Sequence, residues 1–340
     1  MSRLLGVLLT VLFAIATAIL AWPQFFRLES EFPVAQLVAV RGVLLVAYLA
    51  IAALAVLFSL SKRMRGFAAS ILIVALLGAL AQGGVLLTRG LGPGELPDKG
   101  AQSLRVMTWN TAGEAVSAEE IARAVVEYEV DIVALPETAS TVGEAIALQL
   151  RGSGHPMWVH HVDFRPDVPN GPQAWQTTIL LSPELGEYSV IESSRDGSSN
   201  TGQVPSAVVM PVSGRGPIIV AVHAVAPRLG SMEQWAADLQ WVADQCPSGD
   251  VIMAGDFNST VDHFSAFATT GDFGACVDAA AQVGAGAAAT WPASAPALLG
   301  APIDHVMATT NWVAEGAIVP EDAGGSDHRA LIVQLAPAAP

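Results

Sequence analysis

Eight residues of three chemical types recur at comparable places along the chain: Asn110, Glu137, His223, Asp256, Asn258, Asp304, Asp327 and His328. Each stands at the end of a short apolar run or beside one. The clearest case is VIMAGDFNST, residues 251–260, where four apolar residues run through Gly255 into Asp256 and Asn258. Side chains two apart on a strand share a face, so this carboxylate and carboxamide point the same way. Such groups, with imidazoles, move protons and hold hard cations. For any single one, a polar strand end meeting water is the simpler reading. Eight together, with no Lys, Gln or Thr among them, point to a site, because ligands of α/β proteins bind where sheet strands end.

The elements that must carry these residues follow from hydrophobic periodicity. LRVMTWN (104–110) alternates and ends in Asn110, and DIVALPE (131–137) ends in Glu137. Further strands are expected at 177–183, at 217–227 with His223, at 250–258, at 301–309 with Asp304 and His305, and at 326–335, which opens with Ser326, Asp327 and His328. A helix at 117–130 opens with the capping-box pair Ser117 and Glu120 and turns Ile121, Ala124, Val125 and Tyr128 to one face. A second helix is expected at 231–245. His305 should point opposite to Asp304 and be structural. His155, His160, His161 and His263 fall in loop-like surroundings and are expected at the surface. Trp291, in a loop before the Asp304 strand, either lines a substrate groove or packs in the core.

The motifs TWN (108–110), LPE (135–137), VHAVAP (222–227), GDFN (255–258), PIDHV (302–306) and SDHRAL (326–331) resemble, in order and spacing, those of the endonuclease/exonuclease/phosphatase superfamily. They span residues 104–335. The resemblance implies a four-layer α/β sandwich of the DNase I-like type with two packed sheets. It also implies hydrolysis of a phosphate ester, which requires charge neutralised on the phosphoryl oxygens, an activated water and a stabilised leaving oxygen. Mg²⁺ suits such oxygen-rich sites, with Mn²⁺ as a substitute. By the resemblance, Glu137 and Asn110 are metal-site residues and Asp327 is their direct or indirect partner. Asp256 would orient or deprotonate the attacking water, and Asn258 would donate to the phosphoryl oxygen. His328, oriented by Asp304, would act as base or phosphate ligand, in the way a carboxylate fixes an imidazole tautomer. His223 would protonate the leaving group or bind phosphate, although Ala224 follows it where the family usually has Leu or Pro.

Outside the motif-bearing region the composition changes. Mean hydropathy is +0.48 overall, and only 14% of residues are charged. Three apolar segments, at about 4–22, 34–60 and 67–87, each reach the length of a membrane-crossing helix. Residues 1–92 are therefore expected to form a membrane anchor with three transmembrane helices, 93–103 a linker, and 104–336 the catalytic domain. Arg41 either snorkels or precedes its span. Lys62, Arg63 and Arg65 between spans two and three place that loop and the N-terminus in the cytoplasm, and the catalytic domain outside the cell membrane.

Of 16 basic and 31 acidic residues, the anchor holds seven and two, which leaves the outer domain at about −20. A nucleic-acid binder needs a basic face, so a DNase-like nuclease is disfavoured. A phosphodiesterase or phosphatase acting on a lipid headgroup or another small phosphoester fits better. An inactive scaffold of the same fold would have no need of Asp304 and His328 together. The loops at about 151–175 and 193–204, where substrate choice is expected, carry no readable motif. Cys246 and Cys276 either pair, as an extracytoplasmic location allows, or remain two buried thiols.

Overall fold

The structure, a computed structural model, describes residues 3–92, 94–168, 171–191 and 200–339. Most of the expected specificity loop at 193–204, residues 193–199, lies outside the described residues, as do 169 and 170 of the other. The chain opens with α1 (Arg3–Ala21), α2 (Pro23–Phe26), α3 (Val34–Ala39), α4 (Arg41–Ser59) and α5 (Arg65–Arg89). Of these, α1, α4 and α5 are long and apolar enough to cross a membrane, with mean hydropathies of 2.7, 2.5 and 2.2. The expected second span is interrupted. Backbone geometry leaves the helical region at Val40 (φ −110°, ψ 57°), which separates short α3 from α4. Arg41 opens α4, at the very start of the apolar span, and its side chain is 3% exposed.

The motif-bearing region follows as β1 (Gly94–Glu95), β2 (Leu104–Thr108), α6 (Ala118–Glu127), β3 (Ile132–Pro136), α7 (Ser140–Gly152), β4 (Trp158–Asp163), β5 (Gln176–Leu181), β6 (Tyr188–Val190), β7 (Ala207–Pro211) and β8 (Ile218–His223). It continues through α8 (Met232–Asp244), β9 (Val251–Asp256), α9 (Val261–Phe264), β10 (Val277–Asp278), α10 (Ala279–Gln282), β11 (Asp304–Ala308), β12 (Trp312–Ile318) and β13 (Leu331–Pro337). Two sheets form, in the orders β1-β12-β13-β2-β3-β5-β4 and β10-β11-β9-β8-β7-β6. Strand alternation sends Val106, Ile132 and Ile179 inward to meet Ala221, Ile252 and Val306 of the other sheet. Their neighbours Met107, Val133 and Leu180 point outward, under Ile121 and Val125 of α6 and Ile146 and Leu150 of α7. On the other outer face, Trp235, Leu239 and Val242 of α8 cover Val220 and Met253. The result is helices, sheet, sheet, helices: the expected four-layer α/β sandwich. Each fully buried aliphatic side chain contributes about 1.5–3 kcal/mol.

Register brings the strand ends together. β2 and β3 run parallel, as do β8 and β9, and His223 lies opposite Asp256. Asp304 lies opposite Asp256 on the other side. β13 begins at Leu331 opposite Thr108, so residues 326–330 form a loop at this rim rather than the start of the last strand. Gly255 makes the close approach possible: its φ is +157°, and a Cβ there would stand 2.0 Å from the Val222 carbonyl oxygen. The cysteines pair as Cys246–Cys276, with Cα atoms 5.9 Å apart. The segment 94–103 lies along the domain: β1 pairs with β12, and Lys99 Nζ is 2.8 Å from Asp131 Oδ1.

Candidate active site

Asp256, at the end of β9, is the hub of the rim and is 1% exposed. Its Oδ1 accepts from the Asn258 amide nitrogen at 2.8 Å. Its Oδ2 accepts from Asn258 Nδ2 at 3.0 Å and Asn110 Nδ2 at 3.1 Å. Asn110 also donates to Glu137 Oε1 at 3.2 Å within its own sheet, so its bond to Asp256 is the one that ties the two sheets together across the site. His328 Nδ1 lies 2.8 Å from Asp304 Oδ2, and its Nε2 lies 3.9 Å from Asp256 Oδ2. His223 Nε2 is 3.7 Å from Glu137 Oε1. Seven of the eight residues thus converge through these contacts. Asp327 is the exception: it is exposed, and its Oδ2 accepts from Trp291 Nε1 at 3.0 Å. Trp291 is 39% exposed, so it is not a core residue; with Asp327 it sits at the mouth.

Two of the converging residues occupy strained backbone. Glu137 has φ +59° and Asn258 φ +45°. Left-handed geometry costs about 1–2 kcal/mol for a residue with a Cβ, and surroundings that over-determine the conformation sustain it. Asn258 is held by its Nδ2, which donates to Ala224 O at 2.9 Å as well as to Asp256, and by its carbonyl, which accepts from Trp235 Nε1 at 3.0 Å. Both amide protons of Asn258 are therefore engaged within the protein, which leaves none for the phosphoryl oxygen expected from the sequence.

The electrostatics divide the histidines. Burial disfavours a charge on His328, but the Asp304 and Asp256 carboxylates outweigh it and raise its pKa well above the usual imidazole value. Burial pushes His223 down to about 3, helped by His328. Burial and the neighbouring Asp304 raise Asp256, against the pull of His328 and two hydrogen bonds. His305 points away from Asp304, as expected, and takes Asp278 Oδ2 on Nδ1 and Ser259 O on Nε2. His263 corrects the sequence reading: it is 1% exposed, because its Nδ1 caps the Thr260 amide and its Nε2 meets Ala35 O of α3. His160 and His161 lie half-buried on β4 rather than in a loop, while His155 is exposed.

Four supporting residues went unread in the sequence. Ser326 Oγ donates to Asn110 O at 2.7 Å and accepts from the His328 amide at 3.0 Å, so it joins the two halves of the site. Ser206 Oγ accepts from the His223 amide. Thr290 Oγ1 accepts from the Asp304 amide. Asp238, 1% exposed, accepts from the amides of Gly202 and Val225 and so fixes the turn after His223. A signal existed for Asp238: it is a lone carboxylate on the apolar face of α8, beside Trp235, Leu239 and Val242.

The donor set fits a hard divalent cation. Glu137 Oε2 has no hydrogen-bond partner among the described residues, and its side chain is 27% exposed. Buried Asp304 Oδ1 is likewise unpartnered. Asp256 and Asp304 lie with His328 in a cluster whose ligand-type atoms fall within 4.8 Å of one another, and with His328 protonated the two carboxylates are the groups that can take a cation. Oxygen donors of this kind, incompletely satisfied by protein, are what Mg²⁺ and Mn²⁺ take.

The profile of the endonuclease/exonuclease/phosphatase family matches residues 107–328. No curated protein matches the chain. Among solved structures, an endonuclease/exonuclease/phosphatase from Beutenbergia cavernae DSM 12333 is 19% identical with a TM-score of 0.51, over 70% of this chain and 72% of its own. The human Nocturnin catalytic domain, solved with a sulfate anion, is 17% identical with a TM-score of 0.51, over 72% and 97%. Humanized D. rerio TDP2 is 15% identical with a TM-score of 0.50, over 69% and 99%. At these identities the structures show a shared fold, and the profile covers more than half of the chain together with its rim of polar residues. The chain belongs to the endonuclease/exonuclease/phosphatase family, whose members are generally phosphoester hydrolases.

Proposed function

We propose that the protein is a divalent-metal-dependent phosphoester hydrolase, held in a membrane by α1, α4 and α5, with its catalytic domain on the extracytoplasmic side. Its substrate would be a lipid headgroup or another small phosphoester. The observation that carries the reading is the Asp256–His328–Asp304 cluster set against the Asn110–Glu137 pair at one rim. Glu137 and Asn110 would hold the Mg²⁺ or Mn²⁺, with Asp327 nearby at the mouth. The ion, when bound, supplies positive charge to the phosphoryl oxygens.

The chain's own residues divide the remaining work. Asp256, with its raised pKa, is the stronger base for it and takes a proton from the attacking water. Asn258 keeps Asp256 in place through two hydrogen bonds and is a positioning residue. His328 stays protonated, gives one N–H to Asp304, and turns Nε2–H toward the phosphoryl group as a fixed cation. His223 stays neutral and offers its N–H to the leaving oxygen. Trp291 would border the groove. The charge of the outer domain, nine basic against 29 acidic residues, supports a small or lipid phosphoester over a nucleic acid. The Lys62–Arg65 loop supports the orientation.

The test is hydrolysis of bis-p-nitrophenyl phosphate and p-nitrophenyl phosphate by the full chain, with Mg²⁺ or Mn²⁺ and then EDTA, beside Glu137→Ala. Metal-dependent release that the variant lacks is expected, and the preferred ester separates diesterase from monoesterase. No release, together with no metal binding by calorimetry, would leave the inactive scaffold.

A further inference from the structure

The anchor is locked to the catalytic domain through a buried ion cluster. Arg41 grips Asp262 with two bonds, Nη2 to Oδ1 at 2.6 Å and Nε to Oδ2 at 3.1 Å. Arg89, from the last turn of α5, reaches the same carboxylate at 2.7 Å. Gln82 Oε1 and Leu20 O, from α5 and α1, both accept from Arg41 Nη1. Two spans, α4 and α5, therefore meet Asp262 directly, and α1 joins them through Leu20 O on Arg41; the Asp262 side chain is 4% exposed. Two more contacts flank the cluster. Gln36 Nε2 donates to Pro227 O. Leu298 O sits where a Cβ on Gly42 would stand 1.6 Å away, so only glycine admits that approach.

Each of these docking points lies on a segment that has just left, or is about to enter, the catalytic rim. Asp262 is four residues beyond Asn258, and Pro227 four beyond His223. Four residues reach at most about 14 Å. Leu298 lies between Trp291 at the mouth and Asp304. The anchor thus abuts the same end of the β8-β9-β11 sheet that carries the site, and not the far end at the β7–β8 turn. Arg41 and Arg89 mark the ends of the apolar spans, hence the edge of the hydrocarbon. Headgroup phosphates lie only about 5–8 Å beyond that edge. Exposed Trp22, Phe25 and Phe32 follow the end of α1, and exposed Leu229 lies two residues beyond Pro227, as side chains do that sit at a membrane interface.

We propose that the Arg41–Asp262–Arg89 clamp fixes the catalytic rim against the bilayer surface, so that the site takes phosphodiesters held in that bilayer by an acyl or alkyl chain, in preference to the same ester free in water. This rests on the hydrolase reading given above. A tether without the clamp would leave the domain free to turn its rim away. The clamp removes that freedom, and substrate confined to the bilayer meets the site at a raised effective concentration.

The experiment uses the full chain reconstituted in phosphatidylcholine vesicles with Mg²⁺. It compares hexadecyl p-nitrophenyl phosphate in the bilayer with methyl p-nitrophenyl phosphate in solution. A preference in kcat/KM of about tenfold or more for the hexadecyl ester is expected. Asp262→Asn should remove most of that preference while methyl ester turnover stays within about twofold. A nitroxide on Leu229→Cys, read by collision with oxygen and with chelated nickel, should be shielded at headgroup depth. One on Ser213→Cys, at the far end of the sheet, should be open to nickel, and Asp262→Asn should make the two alike. Equal nickel access at both sites in the parent protein, or no preference between the esters, would overturn the proposal. Failure to cleave either ester would instead refute the hydrolase reading, with the labels still deciding where the rim faces.

Discussion

Asn in place of Asp256 keeps the shape of the side chain and removes its charge and one acceptor. The carboxylate accepts three hydrogen bonds, one on Oδ1 and two on Oδ2. An Asn side chain has one carbonyl oxygen, so at least one donor from Asn110 or Asn258 is left facing an NH2 group. An unsatisfied buried donor costs about 1–3 kcal/mol. Against this, burial and Asp304 already disfavour the charged form of Asp256, so deleting the charge relieves a like-charge contact. The two effects oppose each other, and the net change in unfolding free energy should stay within about 2 kcal/mol. Activity should respond far more strongly. Loss of a positioned base lowers rate by about 10²–10⁴, or roughly 3–5 kcal/mol of barrier. The assay is initial-rate hydrolysis of bis-p-nitrophenyl phosphate by the full chain with Mg²⁺, beside a thermal unfolding curve for each protein. Turnover within about threefold of the parent would refute the assignment of Asp256 as base. Parallel collapse of rate and unfolding midpoint would show that the carboxylate is needed for folding instead.

Three further outcomes are expected. Glu137→Gln should weaken Mg²⁺ binding measured by calorimetry by at least about tenfold, because the side chain trades a carboxylate for a neutral amide in a site built on hard oxygen. Cys276→Ser should destabilise the domain by about 2–4 kcal/mol, given bridged positions 30 apart in sequence, and reductant should then have no further effect on the denaturation midpoint. In EDTA, stability should peak near the ordinary imidazole pKa and fall on both sides. His223 (about 3) and His263 (about 4) fold neutral, so their contribution is present above pH 6.5 and is lost as pH falls from 6.5 toward 4, at about 1.4 kcal/mol per unit for each. Asp256, raised, opposes this but is a single group. His328 and His305, raised, contribute stability below pH 6.5 that is lost as pH rises through their folded values. A midpoint that stays flat between pH 4 and 8 would contradict these assignments.

The sequence carried the site better than the framework around it. Asn110, Glu137, His223, Asp256 and Asp304 were legible because each sits at the end of a short buried strand, where an apolar run stops at a polar residue. The unread strands had no such contrast. β4 (WVHHVD) has half-buried residues and two histidines in its middle, and β12 (WVAEGAI) is broken by a bulge between Ala314 and Gly316. The burial of His263 and the partner of Arg41 escape the sequence for one reason: each residue is polar, yet its partner lies more than 200 residues away. His263 meets Ala35, and Arg41 meets Asp262. Local pattern assigns a lone polar residue to water or to a membrane edge. Only the folded chain reveals that anchor and domain satisfy each other. The same limit hid the engagement of both Asn258 amide protons, one of which depends on Ala224, brought close by the β8–β9 pairing.

β13 has a consequence for the order in which the domain is assembled. It lies between β12 and β2, so the strand that carries Asn110 at its end finds one of its two neighbours only when residues 331–337 arrive. The anchor, the helices α6 and α7 and the Cys246–Cys276 loop all emerge earlier. Until the last strand is delivered, Thr108 and Asn110 lie on an open sheet edge, and His328 has not yet reached Asp304. A ribosome that stalls shortly before residue 331 would therefore leave a chain that lacks Leu331, Val333 and Leu335 from the core between the sheets, with the polar rim unassembled. Loss of those few residues parts the first sheet between β12 and β2 rather than trimming its border.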